Sequence, residues 1–175
     1  MPRETSIDIH CRDINALISK WRHATVAVAS KGVPPHITLL YPWRPAPITD
    51  VDVSALKSTL KGQRPFPLVF THVEQFSNRV LYLAVDEESE VRTLMQKIIA
   101  AFPDVKPYSS EFSNPIPHLT IARAPSDVIF NELIQEVSAS IASKLPIEII
   151  VREIVVMEEN EDSNWKVHSI VALDE

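Results

Sequence analysis

One short pattern occurs twice in this chain, as PHITL at residues 35–39 and as PHLTI at residues 117–121. In both copies a polar side chain alternates with an apolar one, which is the period of a half-buried β-strand. A helix cannot bury such a pattern on one face, because its apolar residues recur every three or four positions. The repeat therefore predicts two strands of similar sequence, far apart along the chain.

The alternation also decides which side chains lie together. Successive side chains of a strand point to opposite faces, so His36 shares a face with Thr38, and His118 shares a face with Thr120. Two such strands facing one another would bring two imidazoles and two hydroxyls to a single cleft. These are groups suited to acid–base chemistry on a phosphate.

Composition limits the class of protein. The chain has 175 residues, of which 45% are hydrophobic and 23% charged, so we expect one domain over residues 1–175 with a sizeable core. Its 17 basic and 23 acidic residues give a net charge of −6, which disfavours binding of a long nucleic-acid duplex. A small nucleotide or an RNA terminus stays open as a partner. With only 2 glycines, the chain has no glycine-rich phosphate loop or dinucleotide fingerprint. We expect a monomer.

The sequence also indicates a cellular compartment. No apolar run reaches the roughly 18 residues of a membrane helix. The first residues lack the apolar stretch of a signal peptide. The single cysteine, Cys11, excludes an internal disulfide and suits a reducing compartment. We therefore expect a cytoplasmic protein without a membrane partner.

Periodicity predicts the other elements. Strands are expected over residues 5–11, 35–41, 66–76, 79–85, 117–123, 146–157 and 165–173. Helices are expected around 14–21 with Asp13 as the cap, from the capping Asp50 to about 60, over 87–101, and from the capping Ser126 to about 143. Residues 5–76 and 79–157 would each hold strand, helix, repeated strand, helix and strand. This order predicts a duplicated α+β unit whose pseudo-twofold axis brings the repeated strands together across a central groove.

The paired motifs resemble those of the 2H phosphoesterase superfamily, which includes the 2′-5′ RNA ligases and cyclic nucleotide phosphodiesterases. The run at residues 32–42 is similar to bacterial members, as are Phe102-Pro103 and the closing hairpin with Trp165. The resemblance implies a bilobal α+β fold, with two antiparallel sheets lining a central cleft and helices on the outside. It also implies metal-independent chemistry, without a cofactor, on 2′,3′-cyclic phosphates or 2′-5′ phosphodiester bonds.

Carried over position by position, the resemblance makes His36 and His118 catalytic, and Thr38 and Thr120 the ligands of the phosphoryl oxygens. An imidazole with a pKa near 6.5 suits either half of a paired acid–base reaction. Our hypothesis is that His118 takes a proton from water and His36 protonates the leaving oxygen, although the sequence does not fix this direction. The reverse reaction would be ligation. Arg123, on the face expected to lie opposite His118, is a further substrate-binding candidate because a long side chain can bend toward an anion.

Other interpretations of the same residues remain open. The chain could be a catalytically inactive module that binds a nucleotide or phosphate, or an interaction protein whose histidines only pack. A catalytic zinc site uses three protein ligands, and no recognised spacing supplies them here, so we expect no metal. Trp43 and Tyr108, which lie among prolines, are candidates for exposed rings that stack on a base.

Overall fold

The computed structural model describes residues 3–86, 89–110 and 115–174. Its strands are β1 (Thr5–His10), β2 (His36–Leu40), β3 (Phe66–Phe76), β4 (Val80–Val85), β5 (His118–Arg123), β6 (Ile147–Val151), β7 (Glu153–Glu159) and β8 (Trp165–Ala172). Its α-helices are α1 (Asn15–Thr25), α2 (Ala27–Ser30), α3 (Asp50–Leu60), α4 (Glu90–Ala101) and α5 (Asp127–Ile141). Within these ranges, no helix has the length and apolar character needed to cross a membrane.

The described strands form two sheets of four. The order is β2-β1-β7-β8 in the first sheet and β5-β4-β3-β6 in the second. The neighbouring strands for which the register is defined run antiparallel. The prediction of a duplicated α+β fold with two antiparallel sheets is confirmed.

The two halves of the chain exchange elements. β3 closes the first half but pairs with β4 and β6 in the second sheet. β7 closes the second half but pairs with β1 in the first sheet. The helices cross in the same way, because α1 packs against β5 and α4 packs against β2. Each motif strand is therefore supported by a helix from the other half.

The predicted strand over residues 146–157 is wrong in one respect. The structure divides it at Arg152 into β6, which pairs with β3, and β7, which pairs with β1 and β8. The apolar alternation runs across this point because both strands bury side chains, but each does so in a different sheet. A short helix, α2, was also not predicted.

Two of the three predicted caps differ in the structure. Ser126 caps α5 as predicted, with its hydroxyl accepting a hydrogen bond from a backbone amide of the first turn. In α3 the cap is Thr49, which forms a capping box with Asp52, and Asp50 is the first helical residue. Asp13 does not cap α1, because it lies in a 3-10 turn, Arg12–Ile14, that leads directly into the helix.

The apolar face of each motif strand is fully buried. Ile37 and Leu39 in β2, and Leu119 and Ile121 in β5, are at most 1% exposed and belong to the main hydrophobic core. Burial of four such side chains fixes the register of both strands, since a slip by one residue would turn these side chains away from the core. The opposite, polar faces are thereby directed away from the core.

Candidate active site

The two motif strands lie at facing edges of the two sheets. β2 is the first strand of one sheet and β5 is the first strand of the other. Cα atoms of the two strands approach within 8 Å, although the strands are not hydrogen-bonded into one sheet. The fold therefore brings together two segments that are 82 residues apart in the sequence.

The first motif carries a β-bulge directly after its threonine. Thr38 lies opposite Asp8 of β1. Leu40, two residues later, lies opposite Ile7, the immediate neighbour of Asp8, so Leu39 is the extra residue of the strand. Bulges of this kind re-aim side chains and are frequent beside active sites.

The second motif has the same bulge at the equivalent position. Thr120 lies opposite Tyr82 of β4, whereas Ala122 lies opposite Leu81. Ile121 is therefore the extra residue of β5. The sequence repeat thus extends to an irregularity of the backbone, which alternation alone does not encode.

The bulge changes the face on which Arg123 lies. Arg123 is opposite Val80, and Thr120 is opposite Tyr82. Val80 and Tyr82 are two residues apart on a regular part of β4, so they share a face. Arg123 consequently lies on the same face as Thr120 and His118, and its side chain is exposed. The expectation that it lies on the opposite face is wrong, because simple alternation takes no account of the extra residue.

Both motif imidazoles are held in the same way. Nδ1 of His36 is 2.8 Å from the carbonyl oxygen of Pro34, and Nδ1 of His118 is 2.8 Å from that of Ile116. Because a carbonyl can only accept, each Nδ1 carries the hydrogen and donates it. In the neutral ring, Nε2 is then the nitrogen with the lone pair, and so the one that can take up a proton.

The surroundings of the two rings lower both pKa values. Burial lowers the pKa of His36 to about 4; the bond to the Pro34 carbonyl opposes this, and the charge of Arg22 adds to it. Burial also lowers the pKa of His118, with the Ile116 carbonyl acting against it and the charge of His36 acting in the same direction. The electrostatic effect of one imidazole on the other is evidence that the two lie near each other. Burial thus favours the neutral form of both rings.

Arg22 lies beside this site, behind the His36 ring, and the sequence interpretation missed it. The residue is 2% exposed, and its guanidinium donates from Nη1 to the Val33 carbonyl at 2.9 Å and places Nη2 3.3 Å from Nδ1 of His36. The signal was present in the sequence, since Arg22 lies four residues after the buried Ile18 on the apolar face of α1. A cation on that face is unusual because burial of a charge costs free energy.

The hydroxyl of Thr38 belongs to a polar group on the first sheet. Asp8 and Tyr108 both lie against it, and Ser6 donates to Asp8. Asp8 is 1% exposed, and its burial raises the pKa of the carboxyl to about 7, although the bonds from Ser6 and Thr38 act against this rise. The Thr120 hydroxyl lies on the other sheet, across from Tyr82.

Aromatic rings surround His118. Phe76 and Tyr82 are stacked with their centroids 4.2 Å apart, and the His118 ring meets them at 4.9 Å and 5.4 Å. Phe76 is half-buried, so one edge of this pair is accessible. Trp43, by contrast, is only 3% exposed and packs against Phe102, so the expectation that it is an exposed stacking residue is wrong.

A cavity of about 290 Å³ adjoins the second motif. Its lining includes Tyr82, Arg92 and Pro117, together with the carboxylates Glu74 and Asp86. In the described ranges, no group of three or more histidine, cysteine, aspartate or glutamate side chains could hold a metal ion. The candidate site therefore comprises the two motif imidazoles, the two motif threonines and the aromatic pair beside His118.

The model of the 2′-5′ RNA ligase superfamily matches residues 11–163. The chain belongs to this superfamily. Membership indicates chemistry of the phosphoesterase or 2′-5′ RNA ligase type. Comparison with curated protein sequences gives no match.

Solved structures with the same fold extend over the whole chain. E. coli LigT complexed with NADP+ has a TM-score of 0.62 and 17% identity, covering 99% of each chain. E. coli LigT complexed with 3′-AMP has a TM-score of 0.64 and 16% identity, covering 100% of each chain. A crystal structure described as a phosphoesterase has a TM-score of 0.62 and 16% identity, again covering 100% of each. At this identity the likeness shows the fold alone.

Proposed function

We propose that this member of the superfamily is a metal-independent phosphoesterase that cleaves 2′,3′-cyclic phosphates or 2′-5′ phosphodiester bonds. The observation that carries the proposal is the matched geometry of the two motifs. Each is an edge strand with a bulge after its threonine, and each holds its imidazole by an Nδ1–H bond to the carbonyl two residues before it. A duplicated arrangement of this kind supplies an acid and a base to a single phosphate.

The electrostatics favour His36 as the base, which reverses the direction of our sequence hypothesis. Arg22 disfavours a proton on His36, whereas among the described residues the only charge that lowers the pKa of His118 is that of His36. His36 would take a proton from water as the water oxygen attacks phosphorus. His118 would enter protonated and give its Nε2 proton to the departing ribose oxygen. A bound phosphate anion raises both pKa values and so allows this charge state.

The threonines and Arg123 would stabilise charge on the phosphoryl group. The Thr38 and Thr120 hydroxyls, one on each sheet, can donate to oxygens whose negative charge grows in the transition state. Arg123, which the bulge brings to the same face as His118, can contribute a guanidinium. Ligation would use the same groups in reverse.

The substrate would be a small nucleotide or an RNA terminus. The net charge of −6 gives little attraction for a long duplex. The stacked rings of Phe76 and Tyr82 beside His118 offer a surface for a base or ribose. The structurally similar E. coli LigT has been crystallised with two nucleotides, NADP+ and 3′-AMP, which supports a nucleotide ligand.

The test is turnover of nucleoside 2′,3′-cyclic phosphates and 2′-5′-linked dinucleotides in excess chelator. We expect His36→Ala and His118→Ala each to lower kcat by about 10²–10⁴-fold. His168→Ala, at an exposed histidine in β8, is the matched control and should keep wild-type turnover. Activity retained in either motif variant would remove that histidine from the mechanism. Loss of wild-type activity on chelation would refute metal independence.

A second function is favoured by one observation. Both motif imidazoles are buried, and burial lowers both pKa values, so the general acid needs a bound anion to hold its proton. A module that binds nucleotide without turnover would keep this state. Calorimetric binding of 3′-AMP together with the absence of product from every substrate in the panel would select this alternative.

A further inference from the structure

A second cavity lies beside the first motif, outside the surface between the two motif strands. Its volume is about 290 Å³, and it lies between α1 and the segment that leads into β2. The polar side chains that line it are Arg12, Asn15, Arg22 and His23, with Pro34 and Pro35 completing the wall toward His36. The described lining contains no carboxylate, unlike that of the cavity beside His118.

The arginines of this cavity have no acidic partner in the described structure. None of the ion pairs among the described residues includes Arg12, Arg22 or His23. Arg22 donates to one carbonyl through Nη1, while its buried Nε has no hydrogen-bond acceptor in the described ranges. Asp13 belongs to the same turn as Arg12 but is exposed and forms no ion pair with it.

An uncompensated cation is costly at this depth. Taking a guanidinium out of water costs several kcal/mol unless an anion or several acceptors replace the water. Burial accordingly lowers the pKa of Arg22 to about 10. The pKa of the neighbouring His10 is lowered to about 4, first by burial and then by the charges of His36, Arg12 and Arg22. The same positive region therefore acts on His10. A bound anion would offset this cost.

We propose that the cavity lined by Arg12, Asn15, Arg22 and His23 is a binding site for a phosphate-type anion, separate from the cleft between the motifs. Two guanidinium groups match the oxygens of a phosphate, to which arginine donates parallel hydrogen bonds. The Asn15 amide and the His23 ring add further donors at the rim. The anion is either free phosphate or a second phosphoryl group of a nucleotide. The site does not depend on the proposed function.

The first experiment is a titration of the 15N-labelled protein with inorganic phosphate, followed by NMR. The Nε–H resonance of Arg22 reports the site directly, because that group is buried and has no partner to mask a change. We expect a saturable shift of this resonance. Arg12→Glu should weaken the phosphate affinity at this site by at least about tenfold. The matched control Arg64→Glu changes an exposed arginine elsewhere and should leave the affinity unchanged.

Phosphate can also enter the cleft, so a further variant separates the two sites. Thr120→Val removes a hydroxyl from the cleft and should leave the Arg22 titration as in the wild type. If the Arg22 resonance does not respond to phosphate, or if Arg12→Glu binds it as tightly as the wild type, the inference is overturned. These results require no turnover, so they test the anion site independently of the phosphoesterase proposal.

The source of the anion is decided by a second comparison. Turnover is measured for a nucleoside 2′,3′-cyclic phosphate with and without a 5′-phosphate, in the wild type and in Arg12→Ala. A rise in KM restricted to the 5′-phosphorylated compound assigns the site to a second phosphoryl group of the substrate. An unchanged ratio of KM values, with phosphate binding lost, assigns it to free phosphate.

Discussion

Replacement of Arg22 by glutamine should raise the pKa of His36 by about one unit. The guanidinium Nη2 is 3.3 Å from Nδ1 of His36. At that distance two unit charges repel by about 1 kcal/mol in bulk water and by about 5 kcal/mol at an effective dielectric constant of 20. These energies correspond to shifts of about one to about four pKa units.

The structure selects the smaller figure. The pKa of His36 falls from the ordinary value of 6.5 to about 4, and burial, which Arg22→Gln leaves in place, is a larger cause than Arg22. The shift expected for Arg22→Gln is therefore the lower of the two Coulomb figures, about one pKa unit upward. Since a base works only when unprotonated, the acid limb of the pH–rate profile should move to higher pH by the same amount.

An NMR titration of the His36 ring protons measures this shift. Glutamine keeps a donor for the Val33 carbonyl, and Arg22→Lys keeps the positive charge. Lysine should hold the pKa of His36 close to the wild-type value. The reasoning is refuted if a folded Arg22→Gln protein shows an unchanged or lower pKa for His36, or if lysine and glutamine give the same value.

Three other expectations concern stability. Burial raises the pKa of the Asp8 carboxyl to about 7 in the folded protein, whereas the ordinary value of 3.8 applies to the unfolded chain. As the pH rises from 4 to 7, the free energy of unfolding of the wild type should therefore fall by up to about 4 kcal/mol because of Asp8. The Asp8→Asn variant should not show this part of the fall, and urea denaturation at both pH values measures the difference. A Cβ at Gly32, where φ is +93°, would lie 2.9 Å from the Trp165 carbonyl oxygen, whereas one at Gly62, where φ is +77°, meets nothing. Gly32→Ala should therefore lower the Tm more than Gly62→Ala; equal losses would contradict the contact argument. Thr49→Ala should destabilise α3 by about 1 kcal/mol in the same thermal assay. An unchanged Tm would show that the Thr49 cap does not contribute to stability.

The sequence predicted those features of the fold that local periodicity determines. Alternation located both motif strands, and helical spacing located α4, in which the buried residues are Val91, Leu94, Met95 and Ile98. The strands predicted over 66–76 and 79–85 correspond to β3 and β4. These elements follow from which side chains are apolar, and that information is local to each segment.

What escaped prediction depends on distant partners. The chain passes from one sheet to the other at Arg152. The sequence of residues 146–157 does not indicate with which strands each part pairs. The extra residues Leu39 and Ile121 look like ordinary members of an alternating run, and only the register with the neighbouring strand reveals the bulges. Trp43 lies among prolines yet is covered by Phe102, which comes from another part of the chain.

For the site, the sequence indicated the groups but not their electrostatics. The assignment of His36 and His118 as an acid–base pair stays a prediction, as does that of Thr38, Thr120 and Arg123 as phosphate ligands. The preference of His36 for the neutral state arises first from burial and then from the charge of Arg22, which reaches it from a different element. Such an effect is a property of tertiary packing and cannot be derived from a motif.

The exchange of strands and helices between the halves has a consequence for cleavage of the chain. A cut at the Ser77–Asn78 turn would not release two independent lobes. The N-terminal fragment would retain β1 and β2 without β7, and the C-terminal fragment would retain β4 and β5 without β3. Each piece would expose the edge that the other one covers, so the fragments should be unfolded when separate and should regain a common structure when mixed.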